Sequence, residues 1–103
     1  MTLIAIQEAD AGNQNITFAA AGGPDTMVGG ARAGGWDLGV VLLVRNVDAA
    51  TRTVTVDGVG YVVPATTGFA VIPIRGALGT LKTITYSAVT NVTVAAVRLT
   101  KSD

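Results

Sequence analysis

The chain has 103 residues, half of them hydrophobic and 14% charged, with seven basic and seven acidic side chains and neither cysteine nor histidine. That length suits one domain over residues 1–103, and the apolar content is the opposite of a disordered chain's. The composition excludes disulfides and any Ser-His-Asp, Cys-His or ordinary zinc site, and so few charges leave apolar surface for a partner to cover.

The basic residues Arg32, Arg45, Arg52, Arg75, Lys82, Arg98 and Lys101 are scattered, with no two adjacent. A nucleic-acid binder concentrates them in a patch or stripe, so no nucleic-acid partner is expected. No basic amphipathic helix points to a membrane surface. The start, Met1 to Glu8, lacks the basic region and the apolar length of a signal peptide, and the run Val40–Val44 is far too short to span a bilayer.

In chain order, apolar β-branched residues recur with period two and are broken every ten residues or so by Gly, Pro, Asn or Asp, the pattern of strands and turns. Thr2–Gln7 is a candidate strand, and Gln14–Ala19 is another with Ile16 and Phe18 on one face. A glycine-rich loop is predicted over residues 20–35, with Gly22, Gly23, Gly29, Gly30, Gly34 and Gly35. A loop of that length inside a small domain is usually functional or mobile. Arg32 within it and Trp36 just after it are therefore the candidate partner contacts, Trp being enriched at binding hot spots; a core or lid role for Trp36 is the plainer alternative.

Leu38–Asn46 is the strongest strand, apolar on both faces and so either central or docked on a partner. After a turn at Asn46–Ala50, Arg52–Val56 and Val59–Val63 flank Asp57-Gly58, a pair suited to a two-residue type I′ turn. That turn pairs Val56 with Val59 and Val54 with Tyr61. Phe69–Ile74 follows, and its Pro73 predicts a sheet edge. Leu81–Ser87 has Ile84 and Tyr86 inward, and Asn91–Leu99 changes phase at Ala95-Ala96, which reads as a β-bulge. About seven or eight short strands with this spacing predict an all-β, single antiparallel β-sandwich of jelly-roll type.

No catalytic site is expected. Ser87 and Ser102 are the only serines, and neither lies in a nucleophile elbow. Asp10, Asp25, Asp37, Asp48 and Asp57 are spread one per turn, the pattern of solvated turn-formers and not of a converging acid/base pair. Gly23 to Gly30 lacks the Lys-Ser/Thr of a phosphate loop, and Gly58-Val59-Gly60 is a turn with no helix after it. No D-x-D pattern suggests calcium. No cofactor and no metal are expected.

Two stretches carry a resemblance. Val41-Leu42-Leu43-Val44-Arg45-Asn46 followed after a turn by Thr51-Arg52-Thr53-Val54-Thr55-Val56, and the ending Thr85 to Leu99, resemble the small β-rich head proteins of tailed bacteriophages, particularly those of actinobacteria. Such proteins decorate or cement capsid shells. The resemblance runs across residues 38 to 99. It implies a structural virion protein, made in the host cytoplasm, that binds the major capsid protein on the outer surface of the shell. It also implies self-association, with a trimer the first expectation. The alternative is a β-sandwich binding module such as a carbohydrate-binding or tail-associated adhesin domain.

Overall fold

The computed structural model describes residues 2–9, 16–28, 37–74 and 81–100. Ten strand segments run through them: β1 Thr2–Leu3, β2 Ile6–Ala9, β3 Ala19–Ala20, β4 Asp25–Val28, β5 Asp37–Asn46, β6 Arg52–Val56, β7 Val59–Val63, β8 Gly68–Ile74, β9 Leu81–Tyr86 and β10 Val92–Thr100. There is no helix among the described residues. The strands form two sheets packed face to face, so the all-β sandwich follows from the alternation that predicts it.

The first sheet has the order β1-β4-β9-β6-β7 and the second the order β2-β10-β5-β8, with β3 also paired to β10. Neighbours are antiparallel except where the N-terminal segment joins: β1 lies parallel to β4, and β2 parallel to β10. The expected strand Thr2–Gln7 is thus two short strands, one given to each sheet. Ile4, between them, donates its backbone N–H to the Thr26 carbonyl at 2.7 Å.

The core lies between the sheets. Met27, Val54, Val56 and Ile84 from the first sheet meet Val40, Leu42, Val44, Ile72, Val92 and Val94 from the second. Burying a Val, Leu or Ile side chain of this kind contributes about 1.5–3 kcal/mol, without directional bonds. The strand pattern only has to aim these residues at one another.

The hairpin β6–β7 has the expected register, Val56 opposite Val59 and Val54 opposite Tyr61. Asp57 and Gly58 have φ of 56° and 82°, the left-handed pair that a type I′ turn requires. Gly68 is fixed by proximity: a Cβ there would lie 1.9 Å from the Pro64 carbonyl oxygen. Pro73 lies on β8, which ends the second sheet, as its missing N–H suggests.

Three further expectations are corrected. The glycine-rich segment is not one loop: β3 ends at Ala20, and β4 pairs with β9 from Asp25–Ile84 to Val28–Leu81 and buries Met27 in the core. Four residues with glycines before and after show little periodicity, and their partner lies far along the chain. Second, Ile16–Phe18 belongs to no strand, and of the described part of the predicted Gln14–Ala19 only Ala19 pairs, together with Ala20 after it; Gln14 and Asn15 lie outside the described residues. Third, β10 has no bulge at Ala95-Ala96. Its register against β5 runs unbroken from Val92 to Leu99 and shifts only at Leu99/Thr100. Val92, Val94 and Ala96 stay on the inner face, while Ala95 and Val97 are buried on the other. A strand covered on both sides shows no single apolar phase, so its phase change needs no bulge.

Candidate functional site

Three regions carry the features a functional site needs: an uncharged flank, a knot of polar side chains at one end of the sandwich, and a cavity beside a buried carboxylate.

The flank is where both sheets end. The consecutive strands β7 and β8 are the last strands of the first and second sheets, and from Val59 to Ile74 the sequence holds no charged residue. On the outward face of the second sheet the ladder sets Leu43 between Ala95 and Val71, Val41 between Val97 and Pro73, and Arg45 between Thr93 and Phe69. Phe69 is 51% and Val71 56% exposed. On β7, Val59 and Val62 are exposed as well. One end of this outward face is covered by Phe18, whose ring meets Phe69 edge to face at 6.3 Å and lies 5.0 Å beneath the Arg45 guanidinium. Gln7 holds that segment down. Its Nε2 donates to the Thr17 carbonyl at 2.7 Å, and its Oε1 accepts the Thr17 N–H at 2.9 Å.

A second opening lies at the hairpin end of the same flank. It is a cleft of about 420 Å³ between Val56, Val59 and Tyr61 of the first sheet and Pro73 and Ile74 of the second. The Lys82–Asp57 ion pair, 2.8 Å across, stands at its rim.

The polar knot is centred on Asn46, which is fully buried. Its Nδ2 donates to the carbonyls of Ala50, Val63 and Pro64, and its Oδ1 accepts the Asp48 N–H. The side chain therefore ties the end of β5 to the end of β7, which belongs to the other sheet. Asp48 continues the network, accepting from Arg52 at 2.6 Å and from Asn91 at 3.1 Å. The Ala50 N–H, first, and the Asn91 amide, next, hold the Asp48 carboxyl below its ordinary value against an opposing effect of burial, and Arg52 adds a smaller lowering.

Asp25 departs from the expectation of a solvated turn aspartate. It sits on the inward face of β4, opposite Ile84, and is 1% exposed. Its Oδ2 accepts the Gly22 N–H at 2.9 Å and the Tyr86 hydroxyl at 2.6 Å. Its Oδ1 is buried, with no hydrogen-bond partner among the described residues. Burial, and then the bond to Asp25 together with its charge, hold the Tyr86 proton far above the ordinary tyrosine range. Asp25 borders a cavity of about 320 Å³ whose walls include Leu3, Ile4, Ala19, Ala20 and Val94. Nothing in the sequence marked this carboxylate. The one available signal is that Asp25 keeps phase with Met27, two residues on.

Asp25, Asp48 and Asp57 are thus engaged separately and do not converge. No cluster of three or more His, Cys, Asp or Glu able to hold a metal occurs among the described residues. Arg32 and Trp36, the sequence-predicted partner contacts, lie outside the described residues. Comparison of the chain with family models, with curated proteins and with solved structures finds no match.

Proposed function

We propose that the protein is a structural, non-enzymatic component of a tailed-phage head, which binds the outer surface of the capsid and stabilises the shell. The observation that supports this reading best is the Val59–Ile74 flank. It joins the end strands of both sheets, holds no charge, and presents Val59, Val62, Phe69 and Val71 to solvent. A strand at a sheet edge ordinarily carries charges that discourage pairing with another chain; here Val62 faces outward from the first sheet and Phe69 and Val71 outward from the second, large apolar side chains left to solvent where a partner can cover them. A cement protein needs such a surface on a rigid body and needs no reactive group. The resemblance of residues 38 to 99 to phage head proteins supplies the identity of the partner, the major capsid protein, on the virion's outer surface. Binding only the assembled shell would stabilise it by mass action, and closed symmetric clusters such as a trimer suit a shell's threefold positions.

The test compares heads assembled with and without the protein under heat and low salt. The protein should remain on purified particles and raise their resistance. A Phe69→Asp/Val71→Asp double variant should fold and fail to bind. Heads of equal resilience, with the protein absent from purified particles, would discard this reading in favour of the adhesin or carbohydrate-binding module.

A further inference from the structure

We infer that the outer edge of β7 is the joint of a twofold dimer: β7 pairs antiparallel with β7 of a second copy, Tyr61 opposite Tyr61, and carries the first sheet from one molecule into the next. This inference does not rest on the capsid reading, and the free protein tests it.

In an antiparallel ladder, opposite residues alternate between pairs that exchange both backbone hydrogen bonds and pairs that exchange none. The two-residue Asp57-Gly58 turn makes Val56–Val59 a bonded pair, so Val54–Tyr61 and Arg52–Val63 are bonded pairs too. Thr55–Gly60 and Thr53–Val62 are the unbonded ones. Thr53 bears this out: its N–H donates to the Ser87 Oγ and its carbonyl accepts the Ser87 N–H, both at 2.9 Å and both on the side of β6 away from β7. The N–H and carbonyl groups of Gly60 and Val62 therefore point past the edge of the sheet, where β7 has no neighbouring strand among the described residues. Gly60 is exposed, and in a glycine that exposure is the backbone's own. Val62 is 66% exposed.

Sheet edges are ordinarily blunted by shortness, charge or proline. Among the end strands, β1 has two residues, β2 holds Glu8 and β8 holds Pro73. β7, Val-Gly-Tyr-Val-Val, has none of these guards. Its free groups lie one residue to either side of Tyr61, so the edge is its own complement. A twofold axis at Tyr61 sets Gly60 against Val62 of the second copy, and Val62 against Gly60 of the second copy. Each of those pairs exchanges two backbone bonds. The side chains agree with this register. On the outward face Val62 lies beside Gly60 of the second copy, the one position of β7 with no side chain. On the inward face the half-buried Tyr61 meets its own copy, an aromatic cross-strand pair. A twofold also brings charges near the axis close to their own copies, and from Val59 to Ile74 there is none to repel. The Asp57-Gly58 turn closes the ladder at one end, and Pro64, with no N–H to offer, closes it at the other. The match of Val62 to Gly60, made twice by the symmetry, favours a second copy over an unrelated strand.

The test uses the whole chain, free of heads. Sedimentation should show a monomer–dimer equilibrium, and the Gly60 and Val62 amide hydrogens should exchange with solvent more slowly in the dimer than in the dilute monomer. Val62→Pro removes one outward donor from each copy and no bond to β6, and should raise the dissociation constant about tenfold or more. Val62→Lys puts a charge at the same exposed position and should leave a monomer with the parent's urea unfolding. Cross-linking reads the register. The chain has no cysteine, so Tyr61→Cys, oxidised in air with copper phenanthroline, should give a disulfide-linked dimer. Val59→Cys, which faces Val63 of the second copy, should not. A monomer at about 1 mM, a trimer, unchanged exchange at Gly60 and Val62, or a Val62→Lys dimer as tight as the parent's would overturn the inference. So would cross-linking through Val59→Cys and not Tyr61→Cys. Should Val62→Pro or Tyr61→Cys fail to fold, Val62→Lys and the amide exchange decide alone. Failure here leaves the capsid reading standing, since a monomer can still bind heads through Phe69 and Val71.

Discussion

The two sheets turn the same kind of face inward and different kinds outward. In the first sheet the strands β6 and β9 alternate: Val54, Val56 and Ile84 go into the core, and Thr53, Thr55, Thr83 and Thr85 take the other face, with the exposed Leu81 and Val62 at its margins. In the second sheet β5 and β8 bury Val40, Leu42, Val44, Ile72 and Ile74, yet the opposite face is again apolar, with Val41, Leu43, Phe69 and Val71. A threonine face is content with water, since its hydroxyls hydrogen-bond there and its branched carbon still suits a strand. The aliphatic face gains nothing from water. Part of this second apolar face is covered by the chain itself, at Phe18, Ala95 and Val97, and the part left to solvent is Phe69 and Val71.

The inward equivalence of the sheets is the part of this contrast whose loss costs most. Leu42→Ala on the second sheet and Ile84→Ala on the first each remove a fully buried side chain. Each should destabilise the protein by about 2–5 kcal/mol in urea unfolding, the range for such truncations. The two losses should be similar, and a cost below about 1 kcal/mol on one sheet alone would mean that the sheets do not share one core.

Next in size is the bond that crosses between the sheets. Asn46→Ala leaves the Val63, Pro64 and Ala50 carbonyls and the Asp48 N–H without their side-chain partner. Only the bond to Val63 is fully buried, the others being partly so; a buried group left unsatisfied costs about 1–3 kcal/mol, so the melting temperature should drop clearly. Asn46→Asp should not rescue it, because a carboxylate cannot donate to the three carbonyls. Full stability in either variant would remove the knot from the account.

How much of this was legible follows from how local each feature is. The β6–β7 hairpin could be read residue by residue because Asp57-Gly58 and the alternation beside it fix one register. The double-apolar character of β5 was equally plain; it left a central strand and one docked on a partner as alternatives, and β5 lies between β10 and β8. What escaped was nonlocal. β4 depends on β9, far along the chain, and its four residues are too few to show a period. The buried role of Asp25 depends on Tyr86 and on the bend at Gly23-Pro24 that brings the Gly22 N–H to it, so the residue looks like any aspartate after a proline. In β10 a strand covered on both faces carries alternation that no longer reports direction. Asn46 stood at a strand end, where a turn was expected, but its reach to Val63 and Pro64 depends on tertiary packing.

A smaller effect belongs to acid. Asp48 is held below its ordinary value of 3.8 by the Ala50 N–H, then by Asn91 and Arg52. A carboxyl with a lowered folded value adds stability that is fully present above its unfolded value and is lost as pH falls through the folded one. Melting temperature should therefore decline from about pH 4 downward. Asp48→Asn should be less stable than the parent at pH 6, and the gap should narrow toward pH 2. A gap that stays constant over that range would show that the carboxylate's charge contributes nothing.

The smallest effect on folding is the one that sharpens the contrast most. Val71→Thr gives the second sheet's outward face a residue of the kind the first sheet carries, and Thr83→Val does the reverse on the first sheet. Both positions are exposed on strands whose other face forms the core. Substitutions at such positions usually change stability within about ±0.5 kcal/mol, and both side chains are branched and suited to strands. Urea unfolding should therefore not separate the two variants from the parent. Association should. If the aliphatic face serves a partner, Val71→Thr weakens attachment to heads or self-association followed by sedimentation, and Thr83→Val leaves both unchanged. The opposite ranking would move the interface to the threonine face. Equal behaviour of the two variants would mean that the outward contrast between the sheets has no bearing on assembly, and that the exposed Phe69 and Val71 are surface residues like any others.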